Sequence, residues 1–408
     1  MRLRVATFNL NNLFDRFNFH AQIPDKTVLT MNHRCRAGAD DLESPYQRVS
    51  IETSPMGQLI KPKPDADFTA LVARAKRLNA DILAVQEVEN LAALREFAAA
   101  LGGYRYLALV EGNDNRMIDV AILSKLPIRR VSSHRWTPDP ANPGRYVFSR
   151  DLVATEIAHP TVANRTLVTV WNTHLKSKFL DPRISDPDER QELQAQNSVR
   201  RTRQADAAAE IIAAHHSPGD HYLLVGDMND HPGSEPLQAL TRGSAAMVDV
   251  FADASFDDAV VDFENVAGVG PKIRNQEDLP SDQNWTSRLS NARAADTYER
   301  LDHIYASPNL PVVDGSARIQ RRTHWTRKRS GSDHDPVMVE LNFTAEQLAE
   351  TAAAPSSATQ MIDTAAIQEL VANQAQTART LLSESVTNAS RLVDEVTERF
   401  RSRSKKAD

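Results

Sequence analysis

Apolar residues along this chain fall into two rhythms. Short continuous runs, LRVATFN (3–9), DILAVQE (81–87) and HYLLVGD (221–227), are too brief for ordinary helices. They predict strands, the latter two buried on both faces. Further strands are predicted at 104–110, 119–124, 151–158, 166–174, 300–306 and 337–343. Elsewhere the spacing is helical. Leu71, Ala75 and Leu78 share one face of a helix over 70–79, LAALREFAAAL reads as a helix over 91–101, and a long helical stretch covers 188–215. Strands and helices alternate early and strands cluster in the middle. That mixture predicts an α/β protein, with sheets covered by helices.

Two long segments fit neither rhythm. Residues 15–65 are rich in Pro, Asp and Arg, and residues 264–296 contain SDQNWTS. Loops of this length predict substrate-side function, plain insertions being the alternative. His20 and His33 read as solvated loop residues. After Thr344 the composition turns to Ala, Ser, Gln, Glu and Thr. The pattern predicts a domain over 1–344, a linker over 345–360 and an amphipathic helical tail over 361–408. The tail carries a thin stripe through Val371, Ala375, Ala378, Leu382, Val386, Ala389, Val393, Val396 and Phe400. It has three readings: a helix packed back on the domain, self-association through 361–400, or contact with a membrane surface.

Composition narrows the partners. Lys+Arg number 48 against 54 Asp+Glu among 408 residues, a net charge of −6. That excludes a protein that coats nucleic acid through bulk charge, but leaves room for a local basic groove. Cys35 is the one cysteine, so no intrachain disulfide forms, which fits a reducing compartment. No leader-like apolar run follows MRLR, so a cytoplasmic location is expected. No stretch of about 18 or more apolar residues predicts a transmembrane helix.

The candidate chemistry lies at strand ends. Asn9 closes the first strand, Gln86 and Glu87 the second, His174 ends TLVTVWNTH, and Asp227 and Asn229 end HYLLVGDMN. Asp302 lies in RLDHIYA, and Asp333 and His334 precede the last strand. Unpaired burial costs a polar group a few kcal/mol and a charge more. So many at one kind of position are better explained by a shared polar cleft. Asp227 and Asn229 are two apart, so in extended chain they share a face. Oxygen-rich donors without cysteine suit a hard cation such as Mg²⁺ or Mn²⁺.

TFNLNNLF, ILAVQEVEN, RMIDVAILSKLPI, WNTHLKS, VGDMND, LDHIYAS and SDHDPV stand in the order seen in the endonuclease/exonuclease/phosphatase superfamily, which this chain resembles over residues 3–343. The resemblance implies a four-layer αββα sandwich with two mixed β-sheets, here with a C-terminal helical tail. It also implies divalent-metal-dependent hydrolysis of a phosphate ester. Carried over residue by residue, it makes Glu87 the principal metal ligand, with Asn9 beside it holding metal or phosphate, and Asp333 reaching the metal region. Asp227 orients or deprotonates water, and Asn229 fixes Asp227 and touches the phosphate. His334 binds a phosphate oxygen with Asp302 holding its ring, and His174 is a second phosphate-facing imidazole, oriented by Asp119. Arg150 and Arg116 compete for one phosphate-binding role. Asp335 reads as a turn or supporting carboxylate.

Two imidazoles, His174 and His334, lean the resemblance towards the deoxyribonuclease and sphingomyelinase branches. No sequence feature identifies the ester, and a metal-dependent phosphodiesterase of nuclease type, acting on DNA or RNA, is the first choice. A lipid or inositol phosphate esterase is the alternative. A non-catalytic scaffold acting through the tail is a third reading, although Glu87, Asp227 and His334, any of which an inactive copy would lose, are all present. Arg200, Arg201 and Arg203 in SVRRTRQ are either phosphate contacts or a solvated helix face.

Overall fold

The computed structural model describes residues 1–14, 63, 65–181, 183–252, 284–289, 297–320 and 331–353, with short strands at 16–18, 35–37, 49–51 and 58–60. The tail over 361–408 with its proposed self-association stripe, and most of the 15–65 and 264–296 segments, lie outside the described residues. In chain order the main elements are β1 (Arg2–Leu13), α1 (Asp65–Leu78), β2 (Ile82–Val88), α2 (Leu91–Leu101), β3 (Tyr106–Leu109), β4 (Asp119–Ser124), β5 (Ile128–Ser133), β6 (Leu152–Ala158) and β7 (Thr166–His174). They continue with α3 (Pro187–His215), β8 (Tyr222–Asp227), α4 (Gln238–Arg242), β9 (Val248–Asp249), β10 (Asp302–Ala306), β11 (Arg318–Ile319), β12 (Val337–Asn342) and α5 (Ala345–Ala353).

The strands form two six-stranded mixed sheets. One runs β11-β12-β1-β2-β4-β3 and the other β9-β10-β8-β7-β6-β5. In each, one parallel pair lies at the centre, β1 with β2 and β7 with β8, flanked by antiparallel neighbours. Their inner faces meet in one apolar cluster: Val5, Ile82, Ile122, Val337 and Val339 from the first sheet pack with Ile157, Val168, Val170, Leu223 and Ile304 from the second. The outer face of the first sheet packs on α1 and α2 through Leu71, Leu78, Leu94 and Phe97. The outer face of the second packs on α3 and α4 through Ala205, Ala208, Ile212 and Leu240. Helix, sheet, sheet and helix therefore stack as four layers around three apolar seams, the αββα sandwich expected from the motifs.

Local chemistry explains the element ends. Asn90 caps α2 by accepting from Ala92 N and Ala93 N, and Asp186 caps α3, with Pro187 at its first turn. Two readings need correction. IRRVSS forms β5, an edge strand whose half-exposed residues gave no apolar run to detect. Helix α5 occupies the start of the segment read as a linker; Leu348 packs on the inner core, and its carbonyl lies 3.0 Å from His159 Nε2. Among the described residues no helix is long and apolar enough to cross a membrane.

The outer face of the second sheet also carries an acid-sensitive cluster. Trp171 donates through Nε1 to His216 Nε2 at 2.9 Å, and His134 and His215 pack on its ring at 5.4 and 5.0 Å. Burial holds His134 below its ordinary range; burial and then His216 push His215 down to about 4. Below the ordinary 6.5 the unfolded chain takes up protons that these folded imidazoles refuse. Stability is therefore lost as pH falls from about 6.5 towards about 4, and no further below that through His215. A His215→Phe variant should lose less melting temperature than the parent between neutral pH and pH ~5, measured by circular dichroism.

Candidate active site

Strand register brings the polar ends level. In the second sheet His174 pairs with Asp227 across the parallel β7–β8 ladder, and Asp227 pairs with Asp302 across the antiparallel β8–β10 ladder. Gly226 makes this packing possible. Its φ is 137°, and an added Cβ would lie 1.9 Å from Thr173 O, so no other residue fits.

Asp227 is the hub. Its Oδ1 accepts from Asn229 N at 2.8 Å. Its Oδ2 accepts from Asn9 Nδ2 at 3.0 Å, which ties the two sheets together at this edge. His174 Nε2 lies 3.3 Å and His334 Nε2 3.8 Å from the same oxygen. His334 Nδ1 in turn meets Asp302 Oδ2 at 2.7 Å, so Asp302 holds its ring. The two imidazoles are driven apart electrostatically. Burial, then Arg150, holds His174 well below 6.5 and therefore neutral. Burial opposes charging of His334, but the Asp302 and Asp227 carboxylates outweigh it and hold the imidazolium well above 6.5. Burial pushes the Asp227 carboxyl up, with His334 opposing.

Glu87 reaches the cleft through an irregular backbone. The β2–β4 register passes from Gln86↔Val120 to Val88↔Asp119, which leaves Glu87 as a bulge. Its φ is 62°, in the left-handed region, and Asn11, Asn12 and Asn229 share that conformation at 49°, 58° and 52°. Non-glycine residues held there cost energy, and they gather around this one mouth. The bulge turns the carboxylate out of the strand alternation, and Asn12 N donates to its Oε2 at 2.9 Å. Glu87, Asp227, Asn229, His174, Asp333 and His334 all line one cleft of about 1310 Å³.

The SDHDPV turn distributes its charges in different directions. Asp333 faces the cleft, His334 turns to Asp302, and Asp335 turns back to accept from Arg74 Nη2 of α1 at 2.8 Å. Arg74 Nη2 also donates to His334 O at 2.9 Å. Ser332 Oγ accepts from His334 N and donates to Asn9 O at 2.6 Å, which locks the turn against β1. Gly331 has φ 73°, and a Cβ there would come within 2.6 Å of Asp67 O in α1. Thr286 Oγ1 accepts from both Leu301 N and Asp302 N, and its carbonyl accepts from Asp335 N.

Several expected roles change. Asn9 is buried, and both ends of its amide are engaged within the protein, the oxygen by Asn11 N and the nitrogen by Asp227. It positions Asp227 and does not line the cleft among the residues named above. Asp119 does not orient His174: its Oδ1 accepts from Gly112 N at 2.7 Å, and His174 Nδ1 is buried with no hydrogen-bond partner among the described residues. Burial raises the Asp119 carboxyl to about 7. Asp119 thus anchors the loop that carries Asp114 and Arg116. Both rival arginines line the cleft and meet at Asp114: Arg150 Nε lies 2.9 Å from its Oδ2 and Arg116 Nε 3.5 Å from its Oδ1. Arg150 is buried and Arg116 mostly exposed. Gln86 does not line this cleft: it is fully buried and donates to Thr7 Oγ1 and Asn172 Oδ1, bridging the sheets. Ser332 was visible in the SDHDPV motif; Arg74, Asp114 and Thr286 carried no local signal.

The donor set fits a hard cation. Among the described residues no three acidic, His or Cys side chains stand close enough to hold an ion unaided. Mg²⁺ usually takes one or two carboxylates and keeps several waters, so it does not need such a cage. Glu87, fixed by Asn12 N, and Asp333 are the carboxylates that would hold it.

Three comparisons place these residues among known proteins. The chain is 24% identical over 270 residues to the inositol phosphosphingolipids phospholipase C of Saccharomyces cerevisiae, a match covering 65% of this chain and 53% of the yeast protein. The chain thus spans about half the length of that curated relative. Its fold is similar to an endonuclease/exonuclease/phosphatase structure from Bacteroides vulgatus, with a TM-score of 0.49 and 15% identity, covering 84% of this chain and all 100% of the other. It is also similar to a mannosyl-6-phosphatase of Bacteroides thetaiotaomicron, with a TM-score of 0.45 and 17% identity over the same shares. The sequence pattern of the endonuclease/exonuclease/phosphatase family covers residues 6–334, a span that begins just before Asn9 and ends on His334. The chain therefore belongs to that family of phosphate-ester hydrolases.

Proposed function

We propose that this chain hydrolyses phosphodiesters in a nuclease-like reaction supported by Mg²⁺ or Mn²⁺. The observation that carries this reading is Asp227, whose Oδ2 lies 3.3 Å from His174 Nε2 and 3.8 Å from His334 Nε2. Asp227, with its carboxyl raised to about 7 by burial, takes the proton of the attacking water near neutral pH. Asn9 and Asn229 hold that carboxylate in place. The His334 imidazolium, fixed by Asp302, binds an anionic phosphoryl oxygen and strengthens its grip as charge develops there. Arg150, buried beside Asp114, offers a second fixed positive charge. His174 borders the leaving-group side. Glu87 and Asp333 would hold a divalent cation, whose charge would supply polarisation of the phosphoryl oxygens and stabilisation of the leaving alkoxide. The cleft favours a diester, because about 1310 Å³ exceeds the roughly 300–1,000 Å³ of ordinary small-ligand pockets. It leaves room for groups on both sides of the phosphate.

Incubation with plasmid DNA, RNA and bis-p-nitrophenyl phosphate, in Mg²⁺ or in EDTA, tests the reading. Cleavage in Mg²⁺, absent in EDTA and lost in Glu87→Gln, is expected. Metal-independent cleavage, or none of any substrate, contradicts it. The yeast match favours a second reading, in which the phosphodiester is that of a phospholipid and the products are those of a phospholipase C.

A further inference from the structure

One wall of the cleft carries features that the reaction centre does not use. Helix α3 has no buried residue from Pro187 to Arg200; burial begins at Arg201. At 1.5 Å per residue this half-helix is about 20 Å long. Only Arg190, Leu193, Asn197 and Ser198 are half-buried along it, so it gains little from tertiary contacts. Its inner side nevertheless forms cleft wall through Gln196, Val199 and Arg200. Arg203 ties it to the neighbouring loop by an ion pair to Asp139 at 3.4 Å.

Exposed rings accompany this wall. Tyr146 and Phe179 line the same cleft and are 40% and 66% exposed. Trp136, 55% exposed, packs edge-on to Tyr146 at 4.8 Å, with the Arg135 guanidinium 4.2 Å over its ring. Single exposed apolar residues are ordinary. Rings gathered in one cleft beside cations are less so.

The cations crowd in a way that folding alone does not reward. Burial lowers the Lys176 ammonium, and Arg150, Arg200 and Arg116 lower it further, with Asp114 opposing. All five line the cleft. Arg200 has no ion-pair partner among the described residues. Asp114 and Asp139 offset part of this charge, through Arg150, Arg116 and Arg203, and an anion entering the cleft would meet Lys176 and Arg200.

Resting on the phosphodiesterase reading above, we propose that this wall is a binding track for an unpaired polynucleotide strand, with phosphates on Arg116, Lys176 and Arg200 and bases stacked on Tyr146 and Phe179. Stacking needs a free base face, which a duplex has already given to its neighbouring base pairs. The net charge of −6 also weakens any broad grip on duplex phosphates. A strand running past the reaction centre brings one phosphodiester after another to Asp227.

Fluorescence anisotropy of the full chain with a fluorescein-labelled oligothymidylate, in EDTA, tests the track without cleavage. The single strand should bind at least about tenfold tighter than a duplex of the same length. Phe179→Ala and Tyr146→Ala should each weaken it about tenfold, the order expected for one stacked base, with unchanged melting temperatures. Arg200→Gln should weaken it and flatten its salt dependence. Equal binding of duplex and single strand, or ring variants that bind like the parent, overturns the track. Ring variants that lose only co-sedimentation with phosphatidylserine vesicles overturn it in favour of a lipid surface. Hydrolysis of bis-p-nitrophenyl phosphate in Mg²⁺ separates the two levels. If it persists while strand binding fails, the track alone falls; if it is absent, the phosphodiesterase reading falls.

Discussion

His334→Ala should lower kcat for phosphodiester hydrolysis by about a thousandfold, while the far-ultraviolet circular dichroism spectrum is retained. The magnitude follows from what the side chain supplies. A positioned proton-transfer group contributes roughly 10²–10⁴-fold, and removal of one fixed donor to a developing oxyanion costs roughly 10²–10³. His334 is the one site imidazole held charged, because its Nδ1 meets Asp302 at 2.7 Å and its Nε2 faces Asp227 at 3.8 Å. His174 cannot replace it, since burial keeps that ring neutral. The fold is retained, at reduced stability, because the three apolar clusters contain no side chain of the reaction centre while Asp302 loses its partner. Full metal-dependent activity in the purified variant would remove His334 from the reaction.

Arg74→Met should produce the largest loss of stability. Arg74 and Asp335 form a buried pair at 2.8 Å, with side chains 7% and 0% exposed. Removing one partner leaves a carboxylate in the interior, which costs about 3–5 kcal/mol. The same guanidinium donates to His334 O, so activity should fall together with stability. Urea unfolding of the single variant and of Arg74→Met with Asp335→Leu separates the causes. The double variant should recover much of the stability, since a buried pair replaced by apolar groups is often neutral. Activity should remain low, because the turn has still lost its donor. A single variant as stable as the parent would show that the pair carries no structural weight.

The elements were legible in the sequence because buried strands such as DILAVQE and HYLLVGD are continuous apolar runs and helices such as α2 keep their own spacing, whereas the stacking into a four-layer sandwich followed from the resemblance carried by the motifs. The edge strand β5 was not, since half-exposed positions leave no period to read. The site was legible as a set of strand-end polar groups, but its internal wiring was not. Nothing local in ILAVQEVEN says that Gln86 bridges two sheets while Glu87, one residue on, bulges into the cleft. That difference depends on which partner strand skips a residue. Asn9 and Asp119 take other parts for a similar reason, their long-range partners being invisible in the sequence: the Asn9 amide turns its nitrogen to Asp227, and Asp119 Oδ1 meets Gly112 N and not the His174 ring. Long-range partners such as Arg74 and Thr286 became visible only when their segments were folded against the SDHDPV turn.

The most direct test of the account is the hydrolysis of bis-p-nitrophenyl phosphate in Mg²⁺ by Asp227→Asn, which keeps the shape of the hub and removes its base. The account predicts a loss of about 10³-fold in kcat, within the range for a positioned base, with the thermal transition retained. A variant that turns over at the parent rate would contradict the central claim that Asp227, gathered with Asn9, His174 and His334 at one mouth, drives the reaction.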